Sequence, residues 1–237
     1  MTVAKSGKPG GTSVKDAQSG VAIELENTLL NGHEALCAVL KDALAGEGID
    51  VTPPLYGRYI LGRGVAAGVT RLVRGRTGSA AKAQKLAGTV RDAYLEKLLA
   101  DAGTPDKGLV ALLKEAAERG MTLGALSCLD EEALEQVVDA CGLAELGVQP
   151  PAQSADPEHG FDRDSWLDLA VALRIGPTRC YAVTSQAAAC KGALAAGMKT
   201  GVIEKPLTSF QDFSGADFVR DALDAATRKD ILARLTP

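Results

Sequence analysis

A chain of 237 residues with 46% hydrophobic and 24% charged residues has the balance of a soluble globular protein, long enough for one large domain or a domain with an inserted module. Its net charge of −4 argues against wholesale nucleic-acid binding, and no run of about 18 apolar residues is present to form a membrane-spanning helix. Aromatics at 4%, set against abundant alanine and leucine, predict an aliphatic and largely helical core.

The N-terminal MTVAKSGKPGGTSVKDAQSG lacks an apolar stretch followed by a cleavage site, so residues 1–19 read as a disordered leader rather than a signal peptide. Val21–Leu25 reads as a first strand ending among two alternate carboxylates, Glu24 and Glu26. A helix follows from His33 to about Gly46, with Leu36, Val39, Leu40 and Leu44 on one face, and Gly46, Gly48 and the Pro53-Pro54 pair break it. From Tyr56 to Ala102 helical periodicity persists through several glycines, and Lys107–Arg119 forms a helix stopped at Gly120.

MTLGALSCL is a second strand candidate, with Asp130 or Ser127 placed to cap the helix EEALEQVVDACGL. A short GVQP strand and a Pro-rich loop lead to the helix SWLDLAVALRI, for which Asp164 is a cap candidate. The strand RCYAVTS then feeds the helix QAAACKGALAAG. KTGVI reads as another strand, and ADFVRDALDAATRKDILARL as a last helix with a short strand possible at its start. Strands alternating with helices of ten or more residues predict an α/β fold with a doubly wound parallel sheet of about five strands. The segment between the first two strands is too long for a simple crossover and reads as a helical insertion.

Five cysteines, Cys37, Cys128, Cys141, Cys180 and Cys190, are odd in number and widely spaced without a CxxC pair. They predict reduced, buried thiols in a cytoplasmic protein. The two histidines, His33 and His159, lie far apart, which argues against a Cys/His metal site.

These segments, in this order, resemble the haloacid dehalogenase-like (HAD) hydrolases that carry a helical cap after the first strand, as in the phosphoglycolate phosphatase and β-phosphoglucomutase types. ELENTLLNGHEAL resembles the family's first motif, DxDGTLxxS. LGALSCL resembles the strand ending in the second motif's Ser or Thr, which falls on Ser127. RCYAVTSQAAACKGALAAGMKTGVI is similar to the region where a strand ends in GDS and runs into xxDIxAAxxAGM, and GADFVRDAL resembles the C-terminal strand and helix. The resemblance implies a Rossmann-like core over residues 20–32 and 107–237, with a cap over 33–106.

The departures fall at the chemistry. The family's aspartate nucleophile and its aspartate acid/base correspond to Glu24 and Glu26, and the glycine after them to Asn27, beside Thr28. The Mg²⁺-binding aspartate corresponds to Ser185, so Ser185 and Glu24 mark a degenerate metal site. The lysine of the third motif falls near Gly160, and Arg163 is the nearest cation. Mg²⁺ demands octahedral oxygen ligands at about 2.0–2.1 Å. An extra methylene displaces a nucleophilic oxygen by roughly 1.5 Å, and a misplacement of about 1 Å can cost about 10²-fold in rate. Ser127 reads equally as a phosphate-binding hydroxyl or as a helix cap.

Within the insertion, residues 51–91 hold eight Arg and Lys and no Asp or Glu, so the rest of the chain carries −12. Such a run is either a solvated face or a patch for an anion, because guanidinium forks suit phosphate and carboxylate. In the resembling capped enzymes the cap supplies substrate contacts, and the resemblance would place them in RYILGRGVAAGV, which implies Arg58 and Arg63 as substrate-binding candidates, together with Asn27 and Thr28. Tyr56 and Tyr59 are poor material for base stacking, which disfavours nucleic acid as the partner. The expectation is a protein that has lost phosphohydrolase chemistry and binds an anionic small molecule or a protein partner in the retained cleft. The alternative is an active phosphatase of a small phosphate ester working through rearranged Glu24 and Glu26; only that alternative calls for Mg²⁺.

Overall fold

The first strand is apolar on both faces, as a strand covered on both sides must be. In the computed structural model, which describes residues 19–148, 153–154 and 160–235, it runs Gly20–Glu24 (β1) and is buried throughout. Leu25, expected as its last residue, instead opens a short helix, Leu25–Thr28 (α1).

The other strands are Thr122–Ser127 (β2), Gln153–Ser154 (β3), Cys180–Thr184 (β4), Lys199–Ile203 (β5) and Phe218–Arg220 (β6). They form one six-stranded sheet in the order β3-β2-β1-β4-β5-β6, with every pairing parallel. The short strand at the start of the last segment is β6, which brings the sheet to six strands rather than five. Of the expected GVQP strand, Val148 forms a bridge to Leu123 while Gln149 and Pro150 lie outside the described residues, as do His159 and residues 1–18; β3 falls instead in the segment expected as a Pro-rich loop.

Between β1 and β2 lie Gly32–Ala45 (α2), Pro53–Tyr59 (α3), Val65–Thr77 (α4), Ala80–Asp101 (α5) and Lys107–Glu118 (α6). Pro53 and Pro54 start α3 rather than break a helix. Thr52 caps its N-terminus by accepting from Leu55 N, and a first-turn proline forfeits no intrahelical hydrogen bond. After β2 come Glu131–Ala140 (α7), Arg163–Ala172 (α8), Ala187–Ala195 (α9) and Ala225–Leu235 (α10). Asp130, not Ser127, caps α7 through Ala133 N. Asp162, not Asp164, caps α8 through Ser165 N, two residues before the expected cap.

Alternation along β1 sorts the core. Val21 and Ile23 join a cluster with Leu40, Tyr56, Leu72, Leu98 and Leu232, so the inserted helices share their core with one face of the sheet. Ala22 joins Trp166, Leu169, Ala182 and Met198 on the other face. Strand order reverses between β1 and β4, and the crevice at the carboxyl ends of strands around such a point is where ligands bind in open α/β sheets.

Candidate functional site

Glu24 ends β1 and Ser185 follows β4, so the reversal of strand order brings them together although 161 residues separate them. Glu24 is fully buried. Its Oε2 accepts the Ser185 backbone N–H at 2.7 Å. Its Oε1 accepts Asn27 Nδ2 at 2.7 Å, Gln186 Nε2 at 2.7 Å and the Ser185 hydroxyl at 3.2 Å. Burial pushes the Glu24 carboxyl above its ordinary range, and the Ser185 N–H, Gln186 and Asn27 pull the other way. Three of the four donors are N–H groups that cannot accept, so the ionised form is the one these hydrogen bonds satisfy.

The Ser185 hydroxyl also meets His33 Nε2 at 3.3 Å, and His33 Nδ1 meets the Tyr56 hydroxyl at 3.1 Å. With the serine donating to Glu24, it accepts from His33 Nε2–H. His33 Nδ1 is then bare and accepts from Tyr56. The chain Tyr56–His33–Ser185–Glu24 therefore donates in one direction toward the carboxylate, with a neutral imidazole at its centre. Burial, reinforced by the positive charge of Lys205, holds the His33 pKa down at about 3, well below its ordinary 6.5.

Glu26 is buried beside it. Its Oε1 accepts the Cys128 N–H at 3.0 Å, while Oε2 has no hydrogen-bond partner. Burial pushes its carboxyl up to about 7, against the pull of the Cys128 N–H. Thr28 donates to the Glu24 carbonyl at 2.5 Å, and the Ser127 hydroxyl accepts from Leu129 N at 3.1 Å. The Thr28 hydroxyl is thus engaged within its own turn, while the Ser127 hydroxyl also faces Glu26 and pulls its carboxyl down.

The insertion closes directly over these groups. Gly62 N donates to Gln186 Oε1 at 2.6 Å. A Cβ on Gly62, at φ +77°, would stand 2.8 Å from Ala188 Cβ, and one on Gly160 would stand 2.1 Å from the Gly62 carbonyl oxygen. Only glycines permit that approach. The cavity left among Glu26, His33, Tyr56, Arg63 and Gln186 is about 20 Å³, room for about one water.

The cleft therefore gathers Glu24, Glu26, Asn27, Thr28, Ser127 and Ser185, with Arg63 at its rim. Arg58 is not part of it: the side chain is exposed, its guanidinium 5.4 Å from the centre of the Tyr59 ring. Arg163 is exposed too, and pairs with Asp164 at 2.8 Å. Cys128 and Cys141 are half-buried rather than buried like Cys37, Cys180 and Cys190. His33, Tyr56 and Gln186 were not foreseen as site residues. Gln186 alone left a trace, as the residue next to the serine at the end of β4.

These residues do not fit Mg²⁺. The carboxylate that would bind it is surrounded by N–H donors whose positive ends would face the ion, and the second anionic ligand position is Ser185, a neutral hydroxyl. Among the described residues, no three His, Cys, Asp or Glu side chains form a group able to hold a metal.

No protein-family model and no curated protein matches the sequence. Solved structures do match the fold. CbbY from Rhodobacter sphaeroides in complex with phosphate aligns with a TM-score of 0.72 at 20% identity, over 92% of this chain and 99% of that one. β-Phosphoglucomutase from Clostridium difficile aligns with a TM-score of 0.72 at 14% identity, over 92% and 97%. A HAD family hydrolase from Deinococcus radiodurans, with bound phosphate and sodium, aligns with a TM-score of 0.63 at 20% identity, over 93% and 99%. The chain has the fold of the capped HAD hydrolases.

Proposed function

We propose that this protein is a non-hydrolytic form of the capped HAD fold that acts by binding an anionic small molecule or a protein partner. The observation that carries this reading is the enclosure of Glu24 by donors from the protein. Three protein donors crowd Oε1 and one holds Oε2, and the side chain is fully buried, so neither oxygen faces open space for attack on phosphorus. Phosphoryl transfer depends on a positioned nucleophile and on cations that neutralise the developing charge. Here the position of the metal-binding aspartate is a neutral hydroxyl, Ser185, and that of the lysine falls near Gly160. On this reading residues 33–106 are a cap domain, residues 20–32 and 107–237 the core, and the cytoplasm is the compartment that suits five free thiols. No helix among the described residues is long and apolar enough to cross a membrane.

The test is hydrolysis of a generic aryl phosphate with Mg²⁺, Mn²⁺ or Co²⁺ added. The expected result is no turnover above that of the Glu24→Gln variant. Metal-dependent turnover that Glu24→Gln abolishes would overturn the reading.

One observation favours a second reading, a hydrolase of small phosphate esters that uses a rearranged site. Glu26, whose Oε2 has no hydrogen-bond partner, lines the cavity, and a carboxyl pushed up to about 7 has the acidity of a general base. That reading requires a pH–rate profile with an inflexion near 7 that Glu26→Gln removes.

A further inference from the structure

Outside the cleft, α4 and α5 are joined through Gly78 and Ser79 and run back alongside each other. Each presents a stripe at helical spacing to a shared groove: Ala67, Thr70, Arg71 and Arg74 from α4, and Gln84, Ala87, Gly88 and Arg91 from α5. The small side chains in the middle of both stripes keep the groove open, with a volume of about 950 Å³. That is the upper end of the size range of small-ligand pockets.

The charges stand at both ends. Arg71 and Arg74 lie on the half of α4 nearer the turn, Arg91 far from the turn on α5, and Arg63 just before α4 begins; at about 1.5 Å per residue the stretch of α4 from Val65 to Arg74 covers roughly 14 Å. Arg91 is paired, with Asp92 at 2.9 Å and Asp130 at 3.6 Å. Among the described residues, no carboxylate pairs with Arg63, Arg71 or Arg74. No aromatic or large apolar side chain lines the groove, so a nucleobase would find no face to stack on. What remains is a set of guanidinium forks, whose planar geometry suits the oxygens of phosphate groups. Arg63 spends only Nη1, on the Arg58 and Leu61 carbonyls at 3.5 and 3.4 Å, so three guanidiniums spread over that length suit a ligand charged at several points along an extended chain.

We infer that this groove binds a linear oligophosphate through Arg63, Arg71 and Arg74. The inference rests on the reading of the protein as an anion binder, and it places the anion on the outer face of the insertion instead of in the closed cleft.

The experiment is calorimetric titration of the full chain with tripolyphosphate and with longer inorganic polyphosphates. Saturable binding is expected, strengthening with length until the chain spans both ends of the groove. Arg71→Gln combined with Arg74→Gln lowers affinity by tenfold or more, since each loses a charge-assisted hydrogen bond. Arg76→Gln combined with Lys85→Gln, exposed cations of the same hairpin outside the groove, leaves affinity unchanged. The proposal is overturned by absence of saturable binding, by an equal loss in both double variants, or by tighter binding of a single-stranded oligonucleotide or polyglutamate of equal charge. Such a result leaves the hydrolysis assay on the cleft unaffected, and turnover in that assay leaves the groove titration unaffected, so the two readings fail separately.

Discussion

Gln186 and Glu24 meet at 2.7 Å, the carboxamide Nε2 donating to the carboxylate, and the same carboxamide accepts the Gly62 N–H at 2.6 Å. One neutral side chain thus stabilises a buried charge and fastens the insertion to the core. Gln186→Ala leaves Glu24 short of a donor and Gly62 N–H without an acceptor, a loss of about 3 kcal/mol. Urea unfolding should show the lowered midpoint, and hydrogen exchange at the Gly62 amide should speed up. An unchanged midpoint with unchanged exchange would show that the bridge contributes nothing.

His33 sets an acid limit on stability. Its folded pKa, about 3, lies below the ordinary 6.5, so between those values the unfolded chain binds a proton that the folded one does not. Stability is complete above about 6.5 and is lost as pH falls toward 3, by at most about 5 kcal/mol. The groups that meet the imidazole, Ser185 and Tyr56, are neutral and offer no compensating negative charge. His33→Gln should flatten this limb in thermal melts taken from pH 7 to pH 4. A variant with the same slope as the parent chain would contradict the assignment.

Glu26 acts with the opposite sign. Its pKa is raised from 4.5 to about 7, so the folded chain holds a proton that the unfolded one releases between those values. Stability from this group is complete below about 4.5 and falls as pH rises to about 7, by about 3 kcal/mol. Glu26→Gln keeps an acceptor for Cys128 N–H and removes the titration. Its melting temperature should exceed that of the parent chain at pH 8 and approach it at pH 4.5. A lower melting temperature at pH 8 would count against a costly buried charge.

Gly160 tests the closure itself. At φ +64° its hypothetical Cβ lies 2.1 Å from the Gly62 carbonyl oxygen. Gly160→Ala combines a left-handed backbone penalty with overpacking, together about 2–4 kcal/mol. The variant should retain its far-ultraviolet circular dichroism, unfold at lower urea and bind a hydrophobic dye as the insertion lifts. Parent-like stability without dye binding would mean that the contact yields freely.

The apolar runs of β1 and β4 and the amphipathic helices were legible because burial on a sheet or helix face imposes its period on the sequence. The caps were less so. Asp162 and Asp164 are equivalent as letters, and only the direction of the chain into α8 chose between them. The two prolines at 53–54 were misread as a break because the same residue type ends one helix and begins the next.

The order and spacing of strands and helices, and the glutamates and serine where aspartates stand in the resembling family, were determined by the sequence alone. Tertiary structure decided what became of them. The convergence of Glu24, Ser185, Gln186, His33 and Tyr56 depends on parallel pairing of β1 with β4 and on the insertion folding back over the strand ends. Residues so distant in the chain share no local period. Their meeting is therefore fixed by packing and hydrogen bonding, which a sequence pattern does not encode.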